Sequence, residues 1–119
     1  MSERLLFIYN PHSGKGIIKQ NLSDIMDIFI KNDYEVTIYA TQGRGDATRK
    51  AKESASSFQR IICSGGDGTL NEVINGIMRS EANPTLGYIP AGSTNDFGNS
   101  LGLNGDMLRA AKIAASRNY

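Results

Sequence analysis

Several residue types and patterns are scarce in this 119-residue sequence. Its single cysteine, Cys63, excludes an internal disulfide, and one cysteine without a signal peptide is typical of a cytoplasmic protein. We expect Cys63 to be a small buried strand residue. The N-terminal apolar run, residues 5–9, is too short for a signal sequence or a membrane span. Any contact with lipid should therefore be peripheral.

The sequence also lacks an excess of one charge. Thirteen Lys and Arg residues against twelve Asp and Glu residues give a net charge of +1, which argues against a nucleic-acid groove or a membrane surface bound through bulk charge. The basic cluster of Arg44, Arg49, Lys50 and Lys52 predicts a solvated helix face, with a membrane-surface contact as the alternative. No repeat or linker occurs, so the length predicts one domain that needs no disulfide or structural metal.

Short apolar segments alternate with amphipathic ones along the chain. Strands are predicted at residues 5–9, 36–40, 61–63 and 86–89. Helices are predicted from about 18 to 32, from 46 to 57, over the segment after residue 69 and from 107 to 116. Asp46 is expected to cap the second helix, and Asn104 or Asp106 the fourth. Ala47, Ala51 and Ala55 should form a closely packed inner face of the second helix.

This alternation predicts the α/β class, with a three-layer, doubly wound parallel sheet and right-handed crossovers. We predict the strand order 2-1-3-4. That order makes strands one, three and four neighbours, so the polar loops after these strands meet at one edge of the sheet. Ligands of such sheets bind at the carboxyl ends of the strands.

The loop after the first strand, residues 10–16, reads Asn-Pro-His-Ser-Gly-Lys-Gly. It is not a Walker phosphate loop, because Tyr9 stands where that motif needs glycine and Gly16 where it needs serine or threonine. Its backbone N–H groups and the Ser13 hydroxyl are suited to holding an anion. A plain strand-to-helix turn remains the alternative for this loop alone.

The loop after the third strand, residues 65–69, reads Gly-Gly-Asp-Gly-Thr. Gly66 and Gly68 are expected either to lie where main chain meets phosphate or to adopt positive φ angles. A carboxylate would oppose a bare phosphate, so Asp67 indicates contact with a ribose, with Mg²⁺ or with the water shell of that ion. The alternative is that Asp67 caps the following helix.

The loop after the fourth strand, residues 90–97, places two hydroxyls, an amide and an acid beside a glycine. Its length favours function. A turn network satisfied by its own hydrogen bonds and anchored by Phe97 is the alternative.

Together, three motifs resemble the diacylglycerol kinase catalytic domain, in particular that of the bacterial soluble diacylglycerol and lipid kinases. They are Asn-Pro-x-Ser-Gly-Lys at 10–15, Gly-Gly-Asp-Gly-Thr-Leu-Asn-Glu at 65–72 and Pro-x-Gly-Ser-Thr-Asn-Asp-Phe at 90–97. The Gly-Gly-Asp-Gly sequence alone also occurs in phosphofructokinases and NAD kinases, which share the fold, so the first and third motifs favour the lipid branch. The resemblance covers nearly all of residues 4–119 and implies the nucleotide-binding N-terminal domain of such an enzyme.

The resemblance implies ATP and Mg²⁺ as cofactors, with Asp67 positioning the Mg-nucleotide for catalysis. The nucleotide-binding positions that it implies are Asn10, Pro11, His12, Ser13, Gly14, Thr41, Gly66, Asp67, Gly68, Thr69, Leu70, Asn71, Glu72 and Ser93. Ser93 stands where bacterial diacylglycerol kinases often carry threonine, and its hydroxyl can make the same hydrogen bond.

Such kinases are much longer and have a second, β-rich domain that supplies the general base. The expected function is transfer of the γ-phosphoryl group of ATP to a lipid hydroxyl, converting diacylglycerol to phosphatidic acid, with the fragment alone inactive. The alternatives are an NAD or sugar kinase of the same fold and a stand-alone nucleotide-binding module. The expected location is cytoplasmic or peripheral at a membrane that holds the lipid acceptor, and a homodimer is left open.

Overall fold

The computed structural model describes residues 3–91 and 103–116. In chain order these form β1 (Glu3–Tyr9), a 3-10 turn (Ser13–Gly16), α1 (Ile17–Lys31), β2 (Tyr34–Ala40), α2 (Asp46–Ser54), β3 (Arg60–Gly65), α3 (Asp67–Ser80), β4 (Thr85–Pro90) and α4 (Leu103–Ala115). No helix in these ranges is both long and apolar enough to cross a membrane.

The four strands form one parallel sheet in the order β2-β1-β3-β4, which confirms the predicted order. At its centre Phe7 of β1 pairs with Ile38 of β2 on one side and with Ile62 of β3 on the other. Because all four strands run the same way, their carboxyl ends and the loops that follow share one edge.

The core has two layers, one on each face of the sheet, because side chains alternate along a strand. Leu5 and Phe7 face α1 and α4, where the Phe29 ring meets that of Phe7 edge-on at 5.6 Å. Leu6 and Ile8 face the other way, toward α2 and α3. The continuous apolar run of β1 is thus buried on both sides, and the predicted three-layer arrangement is confirmed.

Helices α2 and α3 pack closely enough to require small residues. Ala47, Ala51 and Ala55 are buried, which confirms the predicted inner face of α2. Opposite them, a Cβ atom added to Gly76 would lie 2.8 Å from the Cβ of Ala51 and would overlap the carbonyl oxygen of Thr48. Any side chain at Gly76 would therefore push the two helices apart.

The boundaries of two helices, α2 and α4, differ from the predicted ones in ways that bear on their predicted caps. The N-cap of α2 is Gly45, with φ +84°, and Asp46 is already helical, so the predicted capping by Asp46 is wrong. That helix also ends at Ser54 rather than at residue 57, with the Ser57 N–H donating to the Ser54 carbonyl in a turn. Gly45 reaches the left-handed conformation without the steric cost that Asp would carry.

Helix α4 begins at Leu103, so Asn104 and Asp106 lie inside it and the predicted cap at either residue is wrong. The prediction treated these two residues as boundaries. Within a helix, however, each costs well under about 1 kcal/mol relative to alanine, and packing of the later turns against the sheet outweighs this cost.

Two residues at the amino ends of the strands hold the end of α4. Arg60 is buried and donates from Nη1 to the carbonyl of Ala114 at 2.9 Å, and the Tyr34 hydroxyl donates to the carbonyl of Ala115 at 2.9 Å. The last turn of a helix has unpaired carbonyls and a partial negative charge, so a cation there is stabilising. This pair anchors α4 at the edge of the sheet opposite the polar loops.

Candidate functional site

A cleft of about 490 Å³ opens at the carboxyl ends of β1, β2 and β3. Its lining comes from the loop after β1, the loop after β2 and the glycine turn between β3 and α3. The lining residues are Asn10, Pro11, His12, Ser13, Thr41, Gln42, Gly43, Arg44, Ala47, Gly66, Gly68, Thr69 and Glu72.

Most of the predicted nucleotide-binding residues meet in this cleft. Asp67, Leu70 and Asn71 are not part of its described lining, and Gly14 lies outside the residues whose surroundings the structure describes. Ser93 and the rest of the third motif from residue 92 onward lie outside the described residues. The predicted residues that do line the cleft are Asn10, Pro11, His12, Ser13, Thr41, Gly66, Gly68, Thr69 and Glu72.

Sequence reasoning missed Gln42, Gly43, Arg44 and Ala47, which also line the cleft. The prediction considered the loops after strands one, three and four, and only the family resemblance added Thr41. The predicted order places strand two beside strand one, so its loop had to lie at the same edge. The predicted strand order could therefore have identified these residues as part of the cleft.

Asn10 organises the loop after β1. Its side-chain Oδ1 accepts the His12 N–H at 2.9 Å, and its backbone carbonyl accepts the Ser13 N–H at 3.2 Å. Its own N–H donates to the carbonyl of Ser64 at 3.0 Å, which ties this loop to the end of β3. Asn10 therefore has a structural role in shaping the cleft, whereas the side chain of His12 is exposed at the rim.

The turn before α3 leaves the start of that helix uncapped. The N-cap of α3 is Gly66, which has an extended conformation, and no side-chain capping hydrogen bond is formed at this end of the helix. The alternative that Asp67 caps the helix is therefore wrong. The first N–H groups of a helix have no intrahelical partner. Because Gly66, Gly68 and Thr69 line the cleft, these donors and the positive end of the helix dipole lie at its wall.

The glycines of this turn serve different purposes. A Cβ atom on Gly65 would lie 2.6 Å from Oγ1 of Thr69, so Gly65 is required by packing. On Gly66 or Gly68 a Cβ atom would meet nothing within 4 Å. The described glycines with positive φ are Gly16 and Gly45, so the expectation of positive φ at Gly66 or Gly68 is wrong.

These contacts predict opposite effects for neighbouring alanine substitutions. Gly66→Ala and Gly68→Ala should change the folding stability by less than about 1 kcal/mol but weaken nucleotide binding about tenfold, because a methyl group would occupy the space where phosphate approaches the main chain. Gly65→Ala should cost about 1 kcal/mol or more of folding stability. Thermal unfolding followed by nucleotide titration separates the two. Wild-type affinity in both cleft variants would show that phosphate does not bind at this turn.

Asp67 lies at the edge of the same turn and is exposed. Within the described residues its carboxylate makes no hydrogen bond or ion pair. The pKa of the Tyr88 hydroxyl is raised, first by burial and then by the negative charge of Asp67. Tyr88 in turn donates to the carbonyl of Gly65 at 2.8 Å. The turn thus presents N–H donors to the cleft and a free carboxylate beside it.

Two other carboxylates near the cleft are already engaged. Glu72 accepts the N–H of Gly45 at 3.0 Å, and Asp46 accepts the N–H of Gln42 at 2.8 Å. Burial alone would raise the pKa of Asp46, but hydrogen bonds from Arg49, the Gln42 N–H and the Tyr39 hydroxyl outweigh it and hold that pKa below its ordinary value. Both acids therefore support the loop after β2.

The acidic side chains near the cleft fit a magnesium site that uses few protein ligands. In the described parts of the chain no three His, Cys, Asp or Glu side chains come together as a metal cage. Mg²⁺ is often held by one or two carboxylates together with substrate phosphates and water, and the free carboxylate of Asp67 suits that role. Cys63 does not contribute, because burial raises the pKa of its thiol to about 12.

Comparison with known proteins gives consistent results. The model of the diacylglycerol kinase catalytic domain family matches residues 4–119. A diacylglycerol kinase of Bacillus subtilis is 48% identical over 111 residues, and one of Staphylococcus saprophyticus is 45% identical over 114 residues. The crystal structure of a diacylglycerol kinase from Bacillus anthracis superimposes with a TM-score of 0.78 at 39% identity, covering 95% of this chain and 39% of that one.

These relatives are considerably longer than the present chain. The matched regions cover 92% and 95% of this chain but 37% of the Bacillus subtilis and Staphylococcus saprophyticus proteins. The family match over residues 4–119 contains the residues that line the cleft.

Proposed function

This chain belongs to the diacylglycerol kinase catalytic domain family, and we propose that it forms the nucleotide-binding half of an ATP-dependent lipid kinase. The observation that carries the proposal is the cleft at the carboxyl ends of β1, β2 and β3, walled by a glycine turn and an uncapped helix. Backbone N–H groups at such a position bind phosphate without needing a charged side chain.

Phosphoryl transfer requires positioning and charge neutralisation more than covalent chemistry. In the proposed enzyme the first turn of α3 donates N–H groups to the phosphates, and the loops after β1 and β2 enclose the nucleotide. Mg²⁺ arrives with ATP, where it neutralises phosphate charge, and Asp67 is the residue suited to hold it. Asp67 would thereby fix the orientation of the phosphate chain beside the turn.

The acceptor that we propose is the hydroxyl of a diacylglycerol, giving phosphatidic acid. Support comes from the relatives that are named diacylglycerol kinase. Because diacylglycerol resides in membranes and ATP is dissolved, the proposed reaction takes place at the cytoplasmic surface of a membrane. The general base belongs, in this proposal, to the part of the relatives that the present chain does not match.

Titration of the isotopically labelled chain with Mg-ATP, followed by NMR, tests the nucleotide site. The backbone amides of Gly66, Gly68, Ser13 and Thr41 should shift together and saturate, while amides near Arg60 at the opposite edge of the sheet should not. Inorganic phosphate at the same ionic strength is the control for general anion effects. Shifts spread evenly over the surface, or none at millimolar ATP, would refute the site.

A further inference from the structure

We infer that Arg44 binds the phosphate chain of the nucleotide, an inference that rests on the proposed function and extends it. Arg44 is exposed and lines the cleft. It is the one lysine or arginine among the described lining residues, and the family resemblance does not point to it. The argument depends on its charge, on the loop that carries it and on its basic neighbours.

Arg44 is not paired with a carboxylate in the part of the chain that the structure describes. Glu72 is the one carboxylate in the described lining, and its Oε2 already accepts the N–H of Gly45. Within the described residues Arg44 takes part in no ion pair. The hydrogen bond from Gly45 leaves the charge of Glu72 in place but holds its carboxylate at Gly45, so the guanidinium of Arg44 keeps its donors available for an anionic ligand.

The loop that carries Arg44 is held by hydrogen bonds on both sides of this residue. Before it, the N–H of Gln42 donates to Asp46 at 2.8 Å, and Nε2 of Gln42 donates to the carbonyl of Ala40 at 3.0 Å. After it, the N–H of Gly45 donates to Glu72 at 3.0 Å. Asp46 also donates its own N–H to the carbonyl of Gly43 at 3.2 Å. Arg44 thus extends from a fixed turn, so less conformational entropy of the loop is lost when a ligand binds.

Two other basic residues of the same cluster, Arg49 and Lys50, are engaged elsewhere. Arg49 pairs with Asp46 at 2.8 Å and with Glu53 at 3.0 Å, and Lys50 lies 4.9 Å from the centre of the Tyr39 ring. Neither residue is part of the cleft lining. The cluster that the sequence predicts as one solvated face is therefore divided, and among Arg44, Arg49 and Lys50 only Arg44 lines the cleft.

The chemistry of the guanidinium group matches a phosphate chain. Its planar N–H donors form paired, charge-assisted hydrogen bonds with phosphate oxygens. The uncapped start of α3 lies in the wall of the same cleft, so backbone donors and a side-chain cation can share one anionic ligand. A nucleoside without phosphates would gain nothing from Arg44.

The test compares Arg44→Gln with Arg79→Gln, which removes the same charge from an exposed position in the last turn of α3. Binding of Mg-ATP, of inorganic tripolyphosphate and of adenosine to the wild-type chain and to both variants is measured by NMR titration. We expect Arg44→Gln to weaken ATP and tripolyphosphate binding about tenfold and to leave adenosine binding and the melting temperature unchanged. Arg79→Gln should match the wild type throughout.

The outcomes separate this inference from the proposed function. If the wild type binds ATP in the cleft and Arg44→Gln binds it equally well, the inference is wrong and the nucleotide site stands. An equal loss of affinity for adenosine would also refute it, because Arg44 would then contact the nucleoside or shape the loop. If the wild type binds no ATP at all, both the inference and the proposed function fail.

Discussion

Replacing Asp67 with alanine should lower the rate of phosphoryl transfer by on the order of a hundredfold or more, while the fold and its melting temperature stay unchanged. Asp67 is exposed and makes no hydrogen bond or ion pair with the described residues, so its loss removes no such stabilising contact among them. In the proposed function its carboxylate holds the Mg-nucleotide beside the glycine turn. The loss of that interaction should therefore appear in turnover rather than in stability.

The measurement requires a protein of the relatives' length that contains this chain, assayed with ATP, Mg²⁺ and diacylglycerol in mixed micelles. Asp24→Ala is the matched control, because it removes an exposed carboxylate from α1, away from the cleft. Asp67→Asn should behave like Asp67→Ala, since the neutral amide keeps the shape but not the charge. Unchanged turnover in both Asp67 variants, with normal circular dichroism, would contradict the role given to this residue.

The sheet was predictable because the sequence patterns that indicate its strands lie within short segments of the chain. The continuous apolar run from Leu5 to Ile8 indicates a strand covered on both faces, and the alternation of strands and helices limits the topology to a few parallel arrangements. The small residues of α2 likewise indicated close helix packing. Each of these signals can be recognised within one element, without knowledge of its neighbours.

The roles of several polar residues were not predictable, because their partners are distant in sequence. Glu72 lines the cleft with the other predicted residues, but no local pattern indicates that its carboxylate accepts the N–H of Gly45, which lies 27 residues earlier. Arg60 holds the end of α4, with its Ala114 partner 54 residues later. Asp46 has the residue type of a helix cap, yet the turn at Gly45 directs its carboxylate to Gln42. Such contacts exist only after the fold has formed.

The 119-residue chain on its own should unfold cooperatively, bind adenine nucleotide weakly and transfer no phosphate. Its two core layers bury enough apolar surface for independent folding. The described walls of the cleft, however, come from one sheet edge, so we expect a bound nucleotide to remain in contact with water. Water weakens every electrostatic interaction on which both affinity and phosphoryl transfer depend.

The lack of turnover follows more specifically from the acids near the glycine turn. A general base must lie within hydrogen-bonding reach of the acceptor hydroxyl. Among the described residues, Glu72 is bound to Gly45 and Asp67 is assigned to the Mg-nucleotide, which leaves no acid at the turn for that task. Incubation of the chain with ATP, Mg²⁺ and diacylglycerol in mixed micelles, beside a reaction without protein, decides the matter. Sustained formation of phosphatidic acid above that background would mean that the base lies within these 119 residues, because no other protein is present to supply it.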